Sequence, residues 1–150
     1  MSAYQLVLHP AEADAAPAPD SVTDSLRIMG LLDTAFPLGR RIHFAAGPRF
    51  LELVTFLGCS PAIELEPPPD PAEREAAALA GRFCHVHVTP ASDNPVARPR
   101  FQGRGTATAR LFIEIWGVYP SEAVPAPSLL AGLADTTGVL WKYFYSSTPE

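Results

Sequence analysis

Phe50–Leu65 reads FLELVTFLGCSPAIEL and is the longest apolar run in the chain. Within Phe50–Leu57 only Glu52 and Thr55 are polar. They stand three apart, which puts them on one face of a helix but on opposite faces of a strand. The spacing predicts two to three helical turns. Pro48 suits a first helical position, where its missing N–H is no loss. Gly58 suits the left-handed residue that closes a helix. Pro61 forbids continuation. Ala62–Glu66 then alternates Ile63 and Leu65 with Glu64 and Glu66, the pattern of a half-buried strand, ended by Pro67, Pro68 and Pro69.

Working back toward the start, Leu38–Ala45 alternates Arg41 and His43 with Ile42 and Phe44 and reads as a strand. Ser21 and Asp24 have capping-box spacing before a short helix through Leu26, Met29 and Leu32, which Gly30 weakens. Residues 10–20 are rich in Ala, Pro and acid, the composition of a flexible linker. Ala3–Leu8 has room for a short edge strand. The expected organisation is a mobile acidic arm over residues 1–20 and one α+β domain over 21–150.

Working forward, Asp70 caps a helix with Pro71 at its first position and Glu73 and Glu75 in its first turn, where negative charge suits the helix dipole. Gly81 ends it. Arg82–Thr89, RFCHVHVT, alternates as a strand, and Pro90–Gly105 reads as a long loop. Ala109–Val118 alternates Leu111, Ile113 and Ile115 with Phe112, Glu114 and Trp116. Pro125 and Pro127 precede a helix through Leu129, Leu130 and Leu133 that closes at Gly138. Val139–Tyr145 is a final aromatic strand. From Ala62 onward the order is strand, helix, strand, strand, helix, strand, which is ferredoxin-like, with Leu38–Leu57 adding a strand and a helix before it. The same alternation is compatible with a mixed or parallel sheet.

The chain has 150 residues, 47% of them hydrophobic, and a formal net charge of −5. Residues 1–25 hold Glu12, Asp14, Asp20 and Asp24 and no base, so the remainder is almost neutral. That balance argues against a broad nucleic-acid surface. Two cysteines make no disulfide framework. No apolar run reaches membrane-spanning length, and the opening MSAYQLVLHP lacks the basic start and cleavage site of a signal peptide. The expectation is a cytoplasmic protein with reduced thiols. Ten Arg against one Lys suit a GC-rich bacterial genome.

Three groups of residues bear on function. His85 and His87, two apart on a strand, share a face and can bind one metal, with His43 as third ligand and Glu114 as a carboxylate ligand or base. Zinc or another transition metal is the cofactor this would imply; the competing reading is two solvated or packed histidines, with no cofactor. Arg98, Arg100, Arg104 and Arg110 give residues 93–110 an excess of base, with Phe101 among them. They read as a docking arm, as a phosphate or base contact, or as a solvated hairpin. Cys59 follows an expected helix C-terminus, which disfavours a thiolate, and Cys84 shares a face with Val86 and Val88; both read as structural thiols rather than redox groups.

Walker, G-x-S-x-G, H-E-x-x-H and C-x-x-C motifs are all missing from the sequence. The leading expectation is a non-enzymatic accessory protein of a bacterial multiprotein system. It would dock a protein partner through the Arg loop (Arg98, Arg100, Phe101, Arg104) and the aromatic strand holding Trp141, Tyr143, Phe144 and Tyr145. The alternatives are a small metal-dependent enzyme using His43, His85 and His87, and a small-ligand sensor.

Overall fold

A computed structural model describes residues 2–58, 63–103 and 105–149. The strands are β1 (Ser2–Pro10), β2 (Leu32–Leu38), β3 (Arg41–Ala46), β4 (Val54–Phe56), β5 (His85–Val88), β6 (Val96–Pro99), β7 (Thr106–Ala109), β8 (Ile113–Trp116), β9 (Ala123–Pro125) and β10 (Trp141–Pro149). The helices are α1 (Pro19–Met29), α2 (Phe50–Leu53), α3 (Pro71–Leu79) and α4 (Pro127–Thr137). Six strands form one sheet in the order β10-β1-β8-β5-β3-β2, every neighbouring pair antiparallel. The expected α+β class holds.

The central strands β1, β8 and β5 alternate between two buried faces. On one, Leu6, Leu8, Val86, Ile113 and Ile115 pack under α1 and α4, which contribute Val22, Leu26, Leu129 and Leu133. On the other, apolar cover among the described residues lies at the two ends. Ala77 and Ala78 of α3 lie on Phe36, Leu38 and Phe83. Ala107 and Ala109 of the β6–β7 hairpin lie on Val7, Phe112 and Phe144. The strip between these caps is polar and buried, and the candidate site sits there.

Asp70 behaves as its position predicts: its Oδ2 accepts from the Glu73 N–H at 3.0 Å, and Pro71 opens α3. Helix α4 likewise starts at Pro127 and closes at a left-handed Gly138. Helix α1 begins two residues before the expected Ser21 cap, with Pro19 at its first position, and Gly30 closes it in left-handed conformation instead of weakening it. Gly47 lets the next turn press against that end. A Cβ there would run into the Gly30 carbonyl, and the Gly47 N–H donates to Leu31 O at 2.8 Å.

Five expectations need correction. The apolar run makes one helical turn, Phe50–Leu53, and then the strand β4, because Val54–Phe56 is β-branched and aromatic and finds a partner in β9. Gly58 is left-handed but follows a strand. Ile63–Glu66 forms no strand; among the described residues its ladder-like bond is Cys84 N–H to Glu64 O at 2.9 Å. Ala62 and Pro61 lie outside the described residues. Leu32–Leu38 and Arg41–Ala46 form a hairpin in place of a single strand. Ser2–Pro10 is not an edge: β1 lies between β10 and β8, and so belongs to the folded sheet rather than to an arm.

The revised boundary of the apolar run gives a direct test. Leu53 is 2% exposed and Leu57 is 50% exposed. Leu53→Ala is expected to cost about 2–5 kcal/mol, the usual range for a buried leucine. Leu57→Ala is expected to stay within about 0.5 kcal/mol, as exposed positions do. Urea denaturation of the two variants distinguishes this arrangement from a continuous helix, in which both losses would be large.

Candidate functional site

The polar strip is built by strand parity. His85 and His87 of β5, His43 of β3, and Glu114 and Trp116 of β8 all fall on the face away from α1 and α4. Register places His85 opposite Trp116 and His87 opposite Glu114. His43 is 1% exposed, His85 0% and His87 4%. The three histidines and the glutamate singled out by spacing alone are therefore brought together.

Their contacts are specific. His43 and His85 share an Nδ1···Nδ1 hydrogen bond of 3.0 Å, one ring donating its N–H to the other's lone pair. His87 donates Nδ1–H to the Ile42 carbonyl at 3.1 Å, which leaves a lone pair on Nε2. That Nε2 is buried without a partner. Glu114 accepts from Arg98 Nη1 at 2.6 Å and from Trp116 Nε1 at 3.1 Å, so both carboxylate oxygens are engaged. Trp116 stacks on His85 with ring centres 5.3 Å apart.

Burial keeps the three histidines uncharged. It lowers His43 to about 2, with the neighbouring His85 and His87 adding to the effect. It lowers His85 to about 3, opposed by the nearby Ala78 carbonyl. It also lowers His87, against the opposing pull of the Glu114 carboxylate. Neutral imidazoles are what a metal requires, but one ion needs several nitrogens converging at about 2.0–2.1 Å. Here the His43 and His87 rings lie parallel, 4.5 Å apart with 14° between planes, so their nitrogens run alongside one another. Among the described residues no group of three or more His, Cys, Asp or Glu is disposed to hold a metal ion. As placed, the set is joined by the His43–His85 and Trp116–Glu114 hydrogen bonds and by ring stacking.

The Arg loop is more ordered than its sequence implies. Val96–Pro99 and Thr106–Ala109 pair as a hairpin. Arg98 is tied to Glu114 and lies over the Phe112 ring at 5.1 Å. Arg100 lies over Phe144 at 5.8 Å, and Phe101 meets Tyr4 edge-on at 5.8 Å. Arg104 and Cys59 lie outside the described residues. Cys84 is 3% exposed, and burial pushes its thiol up to about 12, so it stays protonated.

Two contributors were not among the candidate site residues read from the sequence. Trp116 stands two residues from Glu114, the same parity signal that paired His85 with His87. Arg40 sits in the turn after Gly39, beside Arg41. The β2–β3 turn and the β6–β7 hairpin bound an open cleft of about 960 Å³, with His87 and Glu114 in its wall. No protein-family model matches the chain, and no curated protein or solved structure matches it significantly.

Proposed function

We propose that the protein is a non-catalytic interaction module that captures an extended, acidic segment of a partner protein along the outer edge of β10. One observation carries this reading: Arg100 and Phe101 of the hairpin and Tyr143, Phe144 and Tyr145 of β10 line a single groove of about 570 Å³. Residues from the two stretches singled out as docking elements, far apart in the chain, thus share one surface.

The contrast between the two sheet edges supports it. Edge strand β2 carries Pro37 and a register shift between Leu32 and Ala35, both of which hinder pairing with another chain. Edge strand β10 runs nine residues, and no strand pairs with its outer side among the described residues. An added strand would take its affinity from main-chain hydrogen bonds and its specificity from side-chain pockets. Lys142 and Arg100 select for acid in that strand and oppose indiscriminate pairing.

The proposal extends to the core. Strands β10-β1-β8-β5 with α1 and α4 are read as a ferredoxin-like unit, with β1 and not Ala62–Glu66 as its first strand. The support is the split arrangement: β8 lies between β1 and β5, and β1 between β8 and β10. The β2–β3 hairpin, α2, β4 and α3 are then an insertion before β5. Such a core hosts many functions, so the groove and not the fold carries the functional argument.

The test is fluorescence anisotropy with labelled decapeptides that alternate valine and glutamate. The wild-type chain is expected to bind them with marked salt dependence. Arg100→Glu should weaken binding at least tenfold, mainly through association rate, while leaving the melting temperature within a few degrees. Methylating alternate backbone nitrogens of the peptide should abolish binding. If the unmodified peptides do not bind, or bind Arg100→Glu equally well, the edge is not the docking surface.

A further inference from the structure

We infer that the cleft between the β2–β3 turn and the β6–β7 hairpin binds an organic phosphate monoester with an apolar body. This is independent of the β10 edge and rests on different residues. At about 960 Å³ the cleft is at the upper end of the range of small-molecule sites, which run to roughly 1,000 Å³.

Its charges are arranged for an anion. Arg40 and Arg41 stand on one side and Arg98 on the other. Neither Arg40 nor Arg41 has an ion-pair partner among the described residues. Arg98 is fixed in advance, by Glu114 on one nitrogen and by the Phe112 ring beneath it. A guanidinium fork matches the oxygens of a phosphate, and one whose rotamer is already set loses less freedom on binding. The acids in the lining are Glu114, which Arg98 and Trp116 engage, and Asp20 of α1.

His87 narrows the ligand class. It is 4% exposed, its Nδ1–H is committed to the Ile42 carbonyl, its Nε2 lone pair is buried and unpaired, and the residue itself lines the cleft, so a small turn of the ring would bring that lone pair to a ligand. Buried polar atoms are nearly always satisfied, so an orphaned acceptor calls for a donor. A phosphate monoanion carries a P–O–H that can donate to it, while its remaining oxygens face the arginines. A carboxylate has no such hydrogen. The apolar body follows from Ile42 and Val96, large apolar side chains left 53% and 45% exposed, both of which line this cleft.

Isothermal titration near pH 6 with phenyl phosphate, phenylacetate and benzyl alcohol tests the inference. Phenyl phosphate is expected to bind at least tenfold more tightly than either of the others. Arg41→Ala should weaken it at least tenfold with no change in melting temperature, since Arg41 is an exposed side chain. In NMR spectra the ring signals of His87 should move on addition of phenyl phosphate while those of His9, which is outside the cleft, stay in place. Phenyl phosphate binding no better than benzyl alcohol, or binding that ignores Arg41→Ala, overturns the site. Equal binding of phenylacetate overturns the assignment of phosphate.

Discussion

A chain lacking residues 1–10 is expected to lose cooperative folding altogether. Strand β1 pairs on both sides, with β10 from Ser2↔Pro149 to Pro10↔Trp141 and with β8 from Gln5↔Trp116 to Leu8↔Ile113. Its Leu6, Val7 and Leu8 are each 0% exposed. Fully burying side chains of this size stabilises by roughly 1.5–3 kcal/mol each, so the three together contribute roughly 5–9 kcal/mol. A domain's whole stability is about 5–15 kcal/mol. The deletion would also leave the facing edges of β8 and β10 without partners. Near-UV circular dichroism and thermal melts should show no sigmoidal transition, and a hydrophobic dye should bind. A deletion variant that melts within a few degrees of the full chain would mean that β1 is peripheral. The single change Leu6→Ala, expected to cost about 2–5 kcal/mol, gives an intermediate point on the same scale.

That result would reverse what the sequence suggests about this segment, and the reason is physical. In YQLVLHP the alternation sets Leu6 and Leu8 against Gln5 and His9, a pattern that ordinarily faces water on one side. Here Gln5 and His9 are 0% and 4% exposed, because α3 and the β6–β7 hairpin border a second buried layer. Strand alternation reports which residues share a face. It does not report what covers that face. The same gap explains the β2–β3 hairpin. Pro37 argues against an interior strand, and its tolerance on β2 follows only once β2 is known to be an edge. Signals carried within a single element transferred well: Asp70 with Pro71, Pro127 and Gly138 at the two ends of α4, and the alternation of HVHV. Ile63–Leu65 has a strand's pattern but no ladder to join. At the site, parity alone selected His43, His85, His87 and Glu114, while their adjacency depended on the order β8-β5-β3, which no local pattern contains.

Lowering the pH from 7 to 5 is expected to destabilise the fold by about 4 kcal/mol, through histidines that remain neutral when buried. The sign follows from the two end states. In the unfolded chain each histidine titrates near 6.5. In the folded protein burial lowers His43 to about 2 and His85 to about 3. Between pH 7 and 5 the unfolded state therefore takes up protons that the native state refuses, and stability falls with pH. Well above 6.5 neither state is protonated, so the loss develops on the acid side of pH 7. One pKa unit is about 1.4 kcal/mol, so each of the two residues costs about 2 kcal/mol by pH 5. His9 and His87 are lowered by burial as well and act in the same direction. Glu122, raised by partial burial, acts in the opposite direction as a single group. Urea unfolding at pH 7, 6 and 5 should thus show a steepening loss, with two or more protons taken up per molecule unfolded at pH 5. Aspartates and glutamates of ordinary affinity titrate mostly below this window, so they do not mimic it. A flat profile between pH 7 and 5 would place the histidines in contact with water, and would remove the basis for a second buried layer on this face of the sheet.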